Sequence, residues 1–149
     1  MNHEHQTMEG DLRLMRIWLK SSKSIYNRIV EDVKSHGLTL DHFSVLELLY
    51  NKGPQHIQTI SDKLMIPSGS ITYVVNKLEG KDLVYKEQEE TNKRFWKVCL
   101  TDQGEALFQE IFPKHLKIIE QIFQPLDDNQ KVELAELMKI VGLHVHEDK

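Results

Sequence analysis

The hydrophobic period of this chain changes twice along its length, and that restricts the available folds more than any single motif does. From Leu12 to Val33 the apolar residues Leu12, Met15, Trp18, Leu19, Ile25, Tyr26, Ile29 and Val33 recur at three- and four-residue spacing, one stripe of a long helix. Three shorter helical patterns follow. After Gly80 the chain switches to short runs rich in β-branched and aromatic residues, Leu83-Val84-Tyr85-Lys86 and Phe95-Trp96-Lys97-Val98-Cys99-Leu100. A wholly polar stretch from Glu87 to Arg94 separates them and reads as the solvated tip of a β-hairpin. The helical period then returns. The pattern predicts a mainly α fold with one small β-hairpin, in the order four helices, hairpin, two helices.

Punctuation between the patterns supports these boundaries. Gly37 stops the first helix, and Thr39 offers an N-cap to a second whose inward residues are Phe43, Leu46, Leu49 and Tyr50. Asn51-Lys52-Gly53-Pro54 breaks that helix, and a third is expected over Ile57–Leu64. A tight connection, Met65 to Gly69, leads to a fourth helix from Ser70 to about Glu79, burying Ile71, Val74, Val75 and Leu78. Thr101 caps the next long helix, which carries Pro113 and is ended by Pro125. Asp127 with Gln130 forms a capping-box pattern for the last helix, whose inward residues read as Val132, Leu134, Leu137, Met138 and Val141. No internal repeat, low-complexity tract or long linker divides the 149 residues, so one domain is expected.

Bulk properties narrow the function class. The single cysteine, Cys99, allows no intrachain disulfide and suits a reducing interior. Met1–Gly10 is polar and acidic, unlike a secretory leader, and no apolar run approaches the ~20 residues that span a bilayer, so a cytoplasmic location without membrane association is expected. The net charge of -4 argues at first against nucleic acid. Its distribution is uneven: Ser61–Leu100 carries seven basic against six acidic residues, while the remainder carries 12 against 17.

Two short helices joined by a brief turn, the second with a small polar outer face and a hairpin directly after it, make the winged helix-turn-helix order. A helix of this length fits the major groove of duplex DNA, where outward side chains reach base edges. Ser68, Ser70 and Thr72 stand near the helix start, where hydroxyls and backbone N–H groups attract phosphate. Asn76 suits the paired donor and acceptor of adenine, and Lys77 suits guanine or a phosphate. Lys93 and Arg94 at the hairpin tip suit the minor groove. The rival reading is a winged-helix module that docks a protein partner without sequence-specific DNA binding. An enzyme finds no support, since there is no Gly-rich phosphate loop, His-Glu-x-x-His motif or nucleophile elbow. No cofactor is expected. No metal site is expected either: the histidine clusters His3-Glu4-His5 and His144-Val145-His146 lack zinc-site spacing.

Specific residues resemble the MarR family of bacterial regulators, over nearly the whole chain. They are Leu38-Thr39 leading to Phe43-x-Val45-Leu46-x-x-Leu49, then Ile60-Ser61-x-Lys63-Leu64, the run Ser68 to Glu79, and Asn92-Lys93-Arg94 followed by Val98-x-Leu100-Thr101-x-x-Gly104. Three positions depart from the family pattern: Asn92 stands where a wing Asp is common, Tyr73 where a helix Arg is common, and Asp82 where a Gly usually precedes the first strand. The resemblance implies a homodimer in which helices over about 8–36 and 102–145 pair the subunits, while a winged segment over about 38–100 reads one half of a pseudo-palindromic operator. Tyr73 then joins the reading face. The resemblance also implies a stress-responsive repressor, released by a small phenolic or quinone-like effector, with a leaning toward the quinone- and catechol-responsive subgroup. The pocket would lie where dimer helices meet the winged segment, with Trp18, Tyr26, His42 and Phe43 as its candidate residues. Cys99 is the one candidate redox residue. Strand alternation leads us to expect that Val98 and Cys99 differ in exposure.

Overall fold

A computed structural model describes residues 2–147, and shows six helices and three short strands among them. The side chains of His3 and His5, and residue Asp148 beyond the second histidine cluster, lie outside the described residues. The chain divides into two compact units, the first reaching His115 and the second starting at Leu116.

In the first unit, α1 (Asn2–Ser35) begins well before the stripe at Leu12, because its polar first turns need only adequate helix formers and no buried face. Its N-terminal two-thirds is uncovered. Leu12, Met15, Trp18 and Leu19 are all exposed, and of the expected stripe only Val33 is buried, with Ile25 and Ile29 half-buried. Gly37 takes the left-handed φ of +76° that ends the helix.

The second helix, α2 (Leu40–Lys52), starts on a reciprocal cap. Thr39 Oγ1 accepts the His42 N–H at 3.1 Å, and His42 Nδ1 accepts the Thr39 N–H at 3.4 Å. That role requires an unprotonated Nδ1, and the surroundings agree. Burial lowers the His42 pKa, repulsion from Lys81 and Lys77 adds to it, and Asp41 opposes. With the folded pKa below the unfolded value, the unfolded chain binds more protons in acid. The stabilisation is present above the unfolded pKa of about 6.5 and is lost as pH falls through the folded value. Melting curves between about pH 5 and pH 8 should show a steeper acid loss for the wild type than for His42→Gln, whose amide keeps the cap without titrating. Parallel curves would place the acid sensitivity elsewhere.

A two-residue strand, β1 (Gln55–His56), follows Pro54 and precedes α3 (Ile57–Leu64). The turn out of α3 is closed by the buried Ser61, whose hydroxyl donates to the Ile66 carbonyl while the Ile66 N–H returns to the Ser61 carbonyl at 3.1 Å. Then comes α4 (Ser68–Gly80), which buries Ile71, Val74, Val75 and Leu78 as its spacing predicts. It joins Phe43, Val45, Leu46, Ile60 and Phe108 in one core.

Strands β2 (Val84–Gln88) and β3 (Trp96–Leu100) form the hairpin, with Val84 opposite Leu100 and Gln88 opposite Trp96. β1 pairs with the other edge of β3, so the expected two-stranded hairpin is a three-stranded antiparallel sheet of order β1-β3-β2. Asp82 enters it at φ +59°, the left-handed region that explains why glycine suits this position; aspartate is among the residues that tolerate it best.

The Leu100-Thr101-x-x-Gly104 run has a steric cause. The Thr101 N–H donates to the Leu83 carbonyl at 3.1 Å, its hydroxyl donates to the Asp82 carbonyl at 2.6 Å, and the same oxygen caps α5 (Asp102–Phe123) by accepting the Gly104 N–H at 2.9 Å. A Cβ on Gly104 would stand 2.0 Å from the Leu83 carbonyl oxygen. α5 continues through Pro113.

In the second unit, α6 (Asp128–Glu147) opens with the expected capping box: the Asp127 carboxylate accepts the Gln130 N–H at 2.8 Å and the Gln130 amide oxygen accepts the Asp127 N–H at 3.0 Å. The residues read as inward are not buried. Val132, Leu134, Leu137, Met138 and Val141 are all exposed, and so are Ile140, Leu143 and Val145. Leu134, Leu137, Met138 and Val141 share one side of the helix and Val132 falls on the opposite one, and no residue of the helix is buried.

Candidate nucleic-acid interface

All eight residues expected to meet DNA are exposed: Ser68, Ser70, Thr72, Tyr73, Asn76 and Lys77 on α4, and Lys93 and Arg94 between β2 and β3. The four buried residues of α4 hold the helix by one side only, which leaves the opposite side to these polar groups. Pro67 precedes the helix and provides no side-chain cap. The first-turn N–H groups therefore face outward without an intrahelical acceptor, beside the hydroxyls of Ser68 and Ser70. Such a terminus suits a phosphate oxygen.

Farther along the helix the side chains are less free than the sequence suggests. Thr72 donates its hydroxyl back to the Ser68 carbonyl at 3.0 Å. Lys77 lies 5.4 Å above the Tyr73 ring, a cation–π contact that lets Tyr73 present an apolar face and a cation together. A cleft of about 510 Å³ between α2 and α4 includes His42, Ser70, Tyr73 and Lys77 in its lining.

The wing tip is built from local hydrogen bonds. Asn92 accepts the Arg94 N–H on its side-chain oxygen at 3.1 Å, the Phe95 N–H reaches the Asn92 carbonyl at 3.0 Å, and Gln88 donates to the Lys93 carbonyl at 2.6 Å. Asn92 thus shapes the turn through the backbone, and no ion pair braces the Arg94 guanidinium among the described residues. Glu89 anchors the root, 3.3 Å from Lys97 Nζ and 3.4 Å from His56 Nε2 on β1. These ties leave Lys93 and Arg94 as the exposed cations of the tip.

Trp18, Tyr26, His42 and Phe43 have different surroundings. Trp18 and Tyr26 are exposed on α1, His42 is engaged in the α2 cap, and Phe43 is core, its ring 5.3 Å from that of Phe108. Beside Phe43 lies a buried polar cluster that the sequence did not reveal. His115 Nδ1 is 2.9 Å from Asp32 Oδ2, His36 Nε2 is 3.7 Å from Asp32 Oδ1, and the His115 ring is 4.3 Å from Phe43. Sequence separation hides it, since Asp32 and His115 meet only through the packing of α1 against α5.

Val98 and Cys99 do not differ in exposure: both are buried. Alternation separates their faces, yet the outer face at Cys99 is covered by its cross-strand partner Tyr85 and by Glu87, whose Oε2 lies 3.9 Å from the sulfur. Burial raises the thiol's pKa; a hydrogen bond from Tyr85 lowers it, and Glu87 raises it further. Such a thiol stays protonated and weakly nucleophilic at neutral pH. Among the described residues no group of three or more His, Cys, Asp or Glu is placed to hold a metal ion, and no helix is long and apolar enough to cross a membrane.

A model of the MarR family matches residues 38–95, from the residue before the Thr39 cap to the wing. The uncharacterized HTH-type transcriptional regulator YkoM of Bacillus subtilis (strain 168) is 34% identical over 97% of this chain and 94% of its own length. MhqR, an HTH-type transcriptional regulator of the same organism, is 38% identical over 91% of this chain and 94% of its own. Among solved structures, Sco3205, a MarR family transcriptional regulator from Streptomyces coelicolor in complex with DNA, has a TM-score of 0.85 at 20% identity, covering 90% of each chain.

Proposed function

The chain belongs to the MarR family of transcriptional regulators, and on that premise we propose that it represses its target genes as a cytoplasmic homodimer bound to a pseudo-palindromic operator. The observation that carries this reading is the exposed face of α4, Ser68 to Lys77, with an uncapped N-terminus and the Lys93–Arg94 tip on the same winged segment. In this reading residues 38–100 bind DNA. Helices over about 8–36 and 102–145 pair the subunits, and the uncovered apolar faces of α1 and α6 support that role, since a helix with no buried residue is marginal in water. The two wings and two reading helices of a dimer then meet successive turns of the duplex. Release by a small phenolic or quinone-like effector completes the proposal, by favouring a dimer state whose reading helices no longer match the operator spacing.

Fluorescence anisotropy with the protein's own upstream DNA, against scrambled duplex, at two salt concentrations tests the reading; phenols and quinones are then added to the bound complex. Selective binding that weakens steeply with salt is expected. Arg94→Ala should lower affinity for all duplexes alike and reduce the salt slope by about 1. Binding that ignores both sequence and salt would transfer the exposed face of α4 to a protein partner.

A further inference from the structure

The Asn76 amide already has a partner within the winged segment. Lys86 Nζ, reaching across from β2, lies 2.5 Å from the Asn76 side-chain oxygen. A lysine ammonium has donors only, so the amide atom that faces it is the oxygen and the NH₂ is turned the other way. The ammonium is itself located: Lys86 is three-quarters covered, and Glu79 Oε1 stands 3.8 Å from the same nitrogen. Asn76 is exposed among the reading residues, one turn beyond Thr72.

A bidentate grip on adenine needs both ends of the amide aimed at one base edge, the oxygen accepting from N6 and the NH₂ donating to N7. Here one lone pair of the oxygen is taken by a cation on the sheet, whose positive charge opposes the approach of the adenine N6 donors to the other, and the end left over is a pair of donors. Guanine presents two acceptors, N7 and O6, on its major-groove edge, and it matches donors where adenine matches a donor and an acceptor. We propose that Lys86 is a specificity-determining positioning residue: it holds Asn76 as a donor, so that the base read by Asn76 in each half-site is guanine rather than adenine. The inference rests on α4 being the DNA-reading helix. It assigns to a strand residue outside that helix the choice between two bases.

Selection from random duplex DNA with the full-length protein, followed by anisotropy on the selected site and its guanine-to-adenine variant, tests this. Asn76→Ala identifies the position by erasing one preference per half-site. At that position the wild type should favour guanine over adenine by about tenfold. Lys86→Met, which frees the amide, should move the preference toward adenine, and Lys86→Arg, which keeps a cationic donor, should keep guanine. Other positions should not change. A Lys86→Met protein with the wild-type preference would overturn the inference, as would an Asn76→Ala protein whose selected site is unaltered; in both cases operator binding itself stands. A wild type that selects no sequence would bring down the DNA-reading assignment and this inference with it.

Discussion

Gly104→Ala is expected to lower the melting temperature by about 10 °C or more, because Gly104 is the glycine at which an added Cβ collides with backbone. The added Cβ would sit 2.0 Å from the Leu83 carbonyl oxygen and 3.0 Å from its carbon, so backbone, not a flexible side-chain end, must give way. That carbonyl cannot retreat freely, because it accepts the Thr101 N–H at 3.1 Å. Overpacking of this kind costs about 1–3 kcal/mol and occasionally more, and the loss of a hydrogen bond adds about 1 kcal/mol. Circular dichroism melts check the result. A melting temperature within about 2 °C of the wild type would mean that the hairpin and the start of α5 can separate at little cost.

The second large effect concerns assembly. Leu137→Glu with Val141→Lys places a favourable charge pair one turn apart, so α6 keeps its helical propensity while its apolar face is interrupted. Both positions are exposed in the single chain, 54% and 60%, so neither change disturbs a core. If that face is the subunit interface, sedimentation should show monomers, and operator affinity should fall by about 10²–10⁴-fold as the second half-site loses its tether. A double variant that remains a dimer with unchanged affinity would remove α6 from the interface.

The readable parts of this chain are those whose partner surface lies nearby in the sequence. The spacing of Ile71, Val74, Val75 and Leu78 gives the buried side of α4, and hence its exposed side, because α2, α3 and the hairpin that cover it are all close in the chain. Thr39 and Asp127 are legible as caps because capping is a contact over three residues. The same rule explains the failures. Leu134, Leu137, Met138 and Val141 show a helical stripe, but period alone does not say whether a stripe is buried, and all four are exposed. The strand Gln55–His56 is too short for any period to register and exists only through its pairing with Val98 and Lys97. Asp32 and His115 are unremarkable in sequence and meet across two helices. Within the reading face the residue types were visible, but their availability was not: Lys86 on Asn76 and Lys77 on Tyr73 are facts of side-chain placement.

The knot at Thr101 has a mechanical consequence. One residue clasps Asp82 and Leu83 on the strand side and Gly104 on the helix side, and the glycine leaves no gap between the two. The joint therefore leaves little room for the first turn of α5 and the root of the hairpin to move apart, and a shift of that turn is expected to carry the hairpin with it as a crank carries its arm.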